Sequence, residues 1–201
     1  TLRGPRRPTG PGRGGGPPPP RGGGGGGGGG RGGGRGPRPP ARGAAAAGLS
    51  GIRVNVHTSA MLCDQGIIEG RAAETLRLRS ELGQELAILA DVDVKHAVQL
   101  GKPRDLAELA KETACRGLAD GLIVSGCATG SAVDPDELST VKAAVPGHPV
   151  LIGSGADESN IAGLLETADG AIVGTALKRD GDVGKEIDLA RARSWLAAAR
   201  A

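Results

Sequence analysis

The chain has 201 residues, and its 38 Gly, 14 Pro and single aromatic residue, Trp195, depart far from globular averages. Residues 1–50 hold 21 of the glycines, 10 of the prolines and nine arginines with no acidic residue, whereas residues 51–201 carry 16 basic and 22 acidic side chains, so the overall +3 describes neither part. No apolar run approaches the roughly 18 residues that cross a bilayer, and no compact basic region precedes an apolar one as a secretory signal requires.

In chain order, the four prolines at 17–20 and nine glycines at 22–30 come first. They bury almost nothing against a backbone entropy of roughly 1–2 kcal/mol per residue, so residues 1–50 are expected to form a disordered low-complexity tail. Arg13, Arg21, Arg31 and Arg35 precede glycines in an RGG-like manner suited to phosphate backbones. No Phe, Tyr or Trp stands among them for bases to stack on, which favours a linker over nucleic-acid binding. The folded domain is expected over residues 51–201.

Within it, apolar runs at 52–56, 87–94, 121–125, 150–153 and 171–174 read as strands. Helical spacing falls between them, at Leu106, Leu109, Ala110 and Thr113, at Leu138, Val141 and Val145, and at Ile161, Leu164 and Leu165. Asp105 with Glu108, and Asp134 with Pro135 and Glu137, supply helix starts. Alternation of this kind predicts an α/β fold with a parallel sheet. Asp64, Gln65 and Glu69 are read as a loop over the strand ends.

Two strands alternate between apolar and polar residues: Arg53, Asn55 and His57 share one parity, as do Asp91, Asp93 and Lys95. An open doubly wound sheet has no room for such side chains beneath its helices, whereas a barrel has a lumen with a polar mouth. The chemistry is then expected at the C-terminal strand ends, with Asn55, His57, Asp93 and Lys95 as candidate catalytic groups. Lys95 reads either as an amine for Schiff-base or base chemistry, or as the ion-pair partner of Asp91 or Asp93. His57, Asp93 and His96 match no metal-ligand spacing, and the three cysteines, Cys63, Cys115 and Cys127, form no Cys-x-x-Cys pair, which fits a reducing compartment. After the last two strands, Gly153, Ser154 and Gly155, with Gly174 and Thr175, suit phosphate binding by backbone N–H groups.

The blocks IRVNVHTSAMLCDQGIIEGRAAETLRLR (52–79), ILADVDVKHA (88–97), GLADGLIVSGCATG (117–130), PVLIGSGADESN (149–160) and ADGAIVGTALKRDGDV (168–183) resemble the BtpA/SgcQ family in order and spacing. The resemblance implies a (β/α)8 TIM-type barrel of the ribulose-phosphate-binding kind. About five C-terminal strand-helix units are present here, and the Gly/Pro/Arg tail fills the space of about three earlier ones. Ser59, Ala156, Cys63 and Cys127 depart from the family pattern. The family is linked to photosystem I biogenesis or stability, and its SgcQ branch to sugar metabolism.

The expected function is therefore binding of a small phosphorylated or anionic ligand. Competing readings are a non-catalytic assembly factor working with photosystem components, and a sugar-phosphate isomerase or aldolase-like enzyme. The sequence does not choose between catalyst and binder and identifies no cofactor. A homo-oligomer is expected from the sheet edges that a partial barrel leaves open. The implied location is the cytoplasm or, in a plastid, the stroma or the thylakoid periphery, without secretion.

Overall fold

The computed structural model of the chain describes residues 40–201 apart from 84, 95–96 and 127–131. The tail proper, Lys95, His96 and Cys127 therefore lie outside the described residues.

Five of the expected strands form one parallel sheet: β1 (Gly51–Val54), β4 (Ala87–Asp91), β6 (Gly121–Ser125), β7 (Val150–Ser154) and β8 (Gly170–Ala171), hydrogen-bonded in that order. The order follows the chain without reversal, so every crossover runs the same way and the helices collect on one face. These are α2 (Ala72–Leu82), α3 (Leu106–Lys111), α4 (Pro135–Ala144) and α5 (Ile161–Leu165), with α6 (Leu189–Ala198) closing the described chain. Ile52, Ile88, Ala90, Leu122, Val124, Val150 and Ile152 project from that face into one buried cluster with Leu78, Leu109, Leu138, Val141 and Ile161. The opposite parity carries Arg53, Leu89, Asp91, Ile123, Ser125 and Gly153 on the lumen face. This is an incomplete TIM-type barrel, and among the described residues β1 and β8 are its edges.

The helix starts obey the capping rules. The Asp105 carboxylate accepts from the Glu108 N–H at 2.8 Å and the Asp134 carboxylate from the Asp136 N–H at 2.9 Å, with Pro135 at the first helical position. α3 runs on into a π-helical turn, Glu112–Arg116.

At the N-terminal end of the sheet the sequence Ala-Asp-Gly occurs twice, and each Asp does the same work. The Asp120 N–H donates to the Ile88 carbonyl while its carboxylate accepts the Ile88 N–H, both at 2.8 Å. Asp169 repeats this with Val150, at 2.9 and 2.7 Å. A cation from the preceding crossover helix, Arg79 or Lys142, completes each clamp.

Two elements depart from the sequence reading. Helix α1 (Pro40–Ala46) falls inside the segment assigned to the tail, and its Ala41 and Ala44 are buried in the core cluster. Small alanines fit where composition alone promised nothing to bury. Residues 64–69 are not a plain loop: β2 (Ala60–Cys63) and β3 (Gly66–Glu69) form a hairpin about Asp64 and Gln65. β5 (Val98–Gln99) adds a third antiparallel strand.

Candidate functional site

At the C-terminal ends of the parallel strands, Arg53 lies across the lumen face. Its Nε donates to Asp91 Oδ2 at 3.0 Å and its Nη2 to Asp91 Oδ1 at 2.7 Å, a bidentate pair. Its Nη1 reaches the Gly153 carbonyl oxygen at 3.3 Å. Three inter-strand spacings of about 4.8 Å separate β1 from β7 along a flat sheet, more than an arginine side chain spans, so this contact requires a concave face. Gly153 has to be glycine: a Cβ there would stand 2.3 Å from Ser125 Oγ and 2.9 Å from Arg53 Nη2.

Asp91 also accepts from Asn55 Nδ2 at 3.0 Å and from Ser125 Oγ at 3.4 Å. Its side chain is 4% exposed against 35% for Arg53, so the carboxylate is buried and the guanidinium reaches the surface. The hydrogen bond to Asp91, with the attraction of its charge, holds the Arg53 pKa above its ordinary value while burial works the other way. Arg53, Asn55, Asp91, Val94 and Ser125 line a cavity of about 240 Å³ that ends on Gly153 and Ser154.

From Gly153 and Ser154 a second cavity of about 400 Å³ extends over Gly155, Gly174 and Thr175, the five residues read as anion-binding. Gly155 has φ +76°, a left-handed conformation that favours glycine, and its carbonyl accepts from Asn160 Nδ2 at 2.9 Å. Asp157 shares the wall. Its carboxylate is bonded to Ser159 Oγ and to the N–H groups of Ser159 and Asn160, and these donors hold its pKa below the usual range.

Residues 41–201 match the BtpA family. The chain belongs to that family. It is 50% identical over 155 residues to the photosystem I biogenesis protein BtpA of Synechocystis sp., covering 77% of this chain and 54% of that protein. It is 33% identical over 154 residues to the sgc region protein SgcQ of Escherichia coli, covering 76% of this chain and 57% of that one. The chain thus spans about half the length of these curated relatives. Among solved structures, an archaeal fructose 1,6-bisphosphate aldolase superposes with a TM-score of 0.52 at 19% identity, over 79% of this chain and 61% of that one, a likeness of fold.

The structure brings together only some of the expected catalytic groups. Asn55 is in the site. Asp93 is exposed just beyond β4; partial burial pushes its carboxyl above the ordinary range, against the pull of the Val94 N–H. His57 lines neither cavity. The strand ends at Val54, so alternation no longer aims the His57 ring at the lumen. The ring is 1% exposed, with Nε2 donating to the Gly117 carbonyl at 2.8 Å and Nδ1 unpartnered. Arg53, Asp91 and Ser125 are members that the sequence reading left out of the candidate set, although the polar parity it noted contained the first two. Among the described residues no group of His, Cys, Asp and Glu is placed to hold a metal, and no helix is long and apolar enough to cross a membrane.

Proposed function

We propose that this BtpA-family domain binds a small phosphorylated or otherwise anionic ligand at its strand ends, Gly153, Ser154, Gly155, Gly174 and Thr175 holding the anion. Arg53, Asn55, Asp91 and Ser125 then meet the rest of the ligand. The observation that carries this reading is the continuity of the two cavities through Gly153 and Ser154. A glycine-lined wall lets backbone N–H groups approach an anion, and a volume of about 400 Å³ suits a small metabolite. A barrel fold shared with a sugar-phosphate aldolase is compatible with this ligand class and does not assign a reaction.

The relative named for photosystem I biogenesis supports a second reading, a non-catalytic assembly role exerted through the outer surface. Gly174 separates the two. Its φ of −132° is not left-handed and a Cβ there meets nothing within 4 Å, so Gly174→Ala should leave binding unchanged, any backbone cost of its ψ of −80° falling on stability. Gly174→Asp adds a like charge where the anion sits. Calorimetric titration of the full chain with inorganic phosphate and with ribose 5-phosphate should give saturable binding in the wild type and in Gly174→Ala, and at least about tenfold weaker binding in Gly174→Asp. Equal binding by all three proteins would remove the anion site and leave the assembly role.

A further inference from the structure

We propose that the cavity beside Arg53 reads hydroxyl groups, so that the ligand is a polyol with a single phosphate, neutral and hydroxylated at the end away from it. This rests on the anion site proposed above and adds what the rest of the ligand must be. It follows from the donors and acceptors around Asp91. A carboxylate paired with a guanidinium only accepts, and at about four sites. All are taken: Oδ2 by Arg53 Nε and Asn55 Nδ2, both at 3.0 Å, and Oδ1 by Arg53 Nη2 at 2.7 Å and Ser125 Oγ at 3.4 Å. Asp91 therefore has no lone pair to offer a ligand and serves instead to fix its neighbours.

Because Asp91 only accepts, Asn55 must turn its amide nitrogen toward it, which leaves the Oδ1 acceptor and the second N–H of Asn55 for a ligand. The Ser125 hydroxyl gives its proton to Asp91 and accepts from Arg53 Nη2 at 3.3 Å, so both Nη2 protons are engaged. One Nη1 proton goes to the Gly153 carbonyl, leaving the second. The cavity thus offers an acceptor on Asn55 and donors on Asn55 and Arg53. A hydroxyl donates and accepts, and satisfies both kinds at once; a carboxylate or a second phosphate has no proton for Asn55 Oδ1 and sets a charge against it. Net charge points the same way. Among the described residues that line the cavity only Arg53 and Asp91 are ionisable, and their charges cancel, so no net positive charge is left to hold a second anion. Val94 supplies an apolar wall for the carbon chain.

Calorimetric titration of the full chain with inorganic phosphate, sorbitol 6-phosphate and 6-phosphogluconate tests this. The last two share a phosphate and a polyol chain and differ at the far end, which is a hydroxymethyl group in one and a carboxylate in the other. The wild type should bind sorbitol 6-phosphate at least about tenfold more tightly than either inorganic phosphate or 6-phosphogluconate. Asn55→Ala should lower the ratio of sorbitol 6-phosphate affinity to inorganic phosphate affinity by about tenfold. Asp91 keeps its bidentate pair with Arg53 in that variant, so its circular dichroism should match the wild type. A wild type that binds inorganic phosphate but gains nothing from the polyol chain, or that binds 6-phosphogluconate as tightly as sorbitol 6-phosphate, overturns the hydroxyl reading and leaves the anion site standing. A ratio unchanged in Asn55→Ala does the same. No saturable binding of any of the three probes overturns both.

Discussion

Asp91 keeps 4% of its side chain exposed, and Arg53, Asn55 and Ser125 all direct donors at its carboxylate. Removing one partner of a buried pair leaves an uncompensated charge, whereas replacing both with apolar groups is often neutral. Arg53→Met should destabilise the domain by about 2 kcal/mol, less than a fully buried pair would lose because Arg53 is one-third exposed. Arg53→Met with Asp91→Leu should recover most of that loss in urea unfolding. Asp93 provides a pH test. Burial raises its folded pKa above the unfolded value, so the stability that goes with its protonated form is present at acid pH and lost as pH rises through the raised pKa. Asp93→Asn should therefore unfold at a higher temperature than wild type near neutral pH and at the same temperature near about pH 3. At this scale the sequence was half legible. Polar residues at alternate positions of β1 and β4 marked the lumen, but parity stops having meaning where a strand ends. His57, three residues past Val54, was read by a rule that no longer applied to it.

Among the elements, the two Ala-Asp-Gly turns have parallel roles and should respond in parallel. Ile88 and Val150 are fully buried, and their N–H groups have the Asp120 and Asp169 carboxylates as acceptors. Asp120→Ala and Asp169→Ala should each cost about 1–3 kcal/mol in urea unfolding, with Asn in either place costing less because it keeps an acceptor oxygen. The hydrogen bonds from Lys142 and Val150 hold the Asp169 pKa below its ordinary value. Its contribution is therefore present at neutral pH and lost as pH falls through the lowered pKa. The five parallel strands and the capped helices were legible because their apolar runs are long and their caps use acids in fixed places. The hairpin was not, since each of its strands has four residues and its outward Leu62 and Ile67 are apolar, which erases the alternation by which such strands are recognised. Helix α1 was hidden by alanines that bury well and yet register weakly in composition.

On the scale of the molecule, winding in chain order sends the helices to one face, puts the paired aspartate clamps at the N-terminal end of the sheet and leaves the C-terminal end to the two linked cavities. The aspartate clamps brace the first end, and the ligand contacts proposed above lie at the second, the usual place for such sites in barrels of this kind. Trp195 provides a reporter for that assignment. It is the sole aromatic residue, and it lines a small cavity that shares Asp157 and Ala176 with the wall of the cavity over Gly155 and Gly174. The most direct measurement is its fluorescence during titration of the full chain with inorganic phosphate, wild type against Gly174→Asp. A saturable change in the wild type that Gly174→Asp abolishes is the predicted result; no saturable change, or the same change in both proteins, would contradict anion binding at the strand ends.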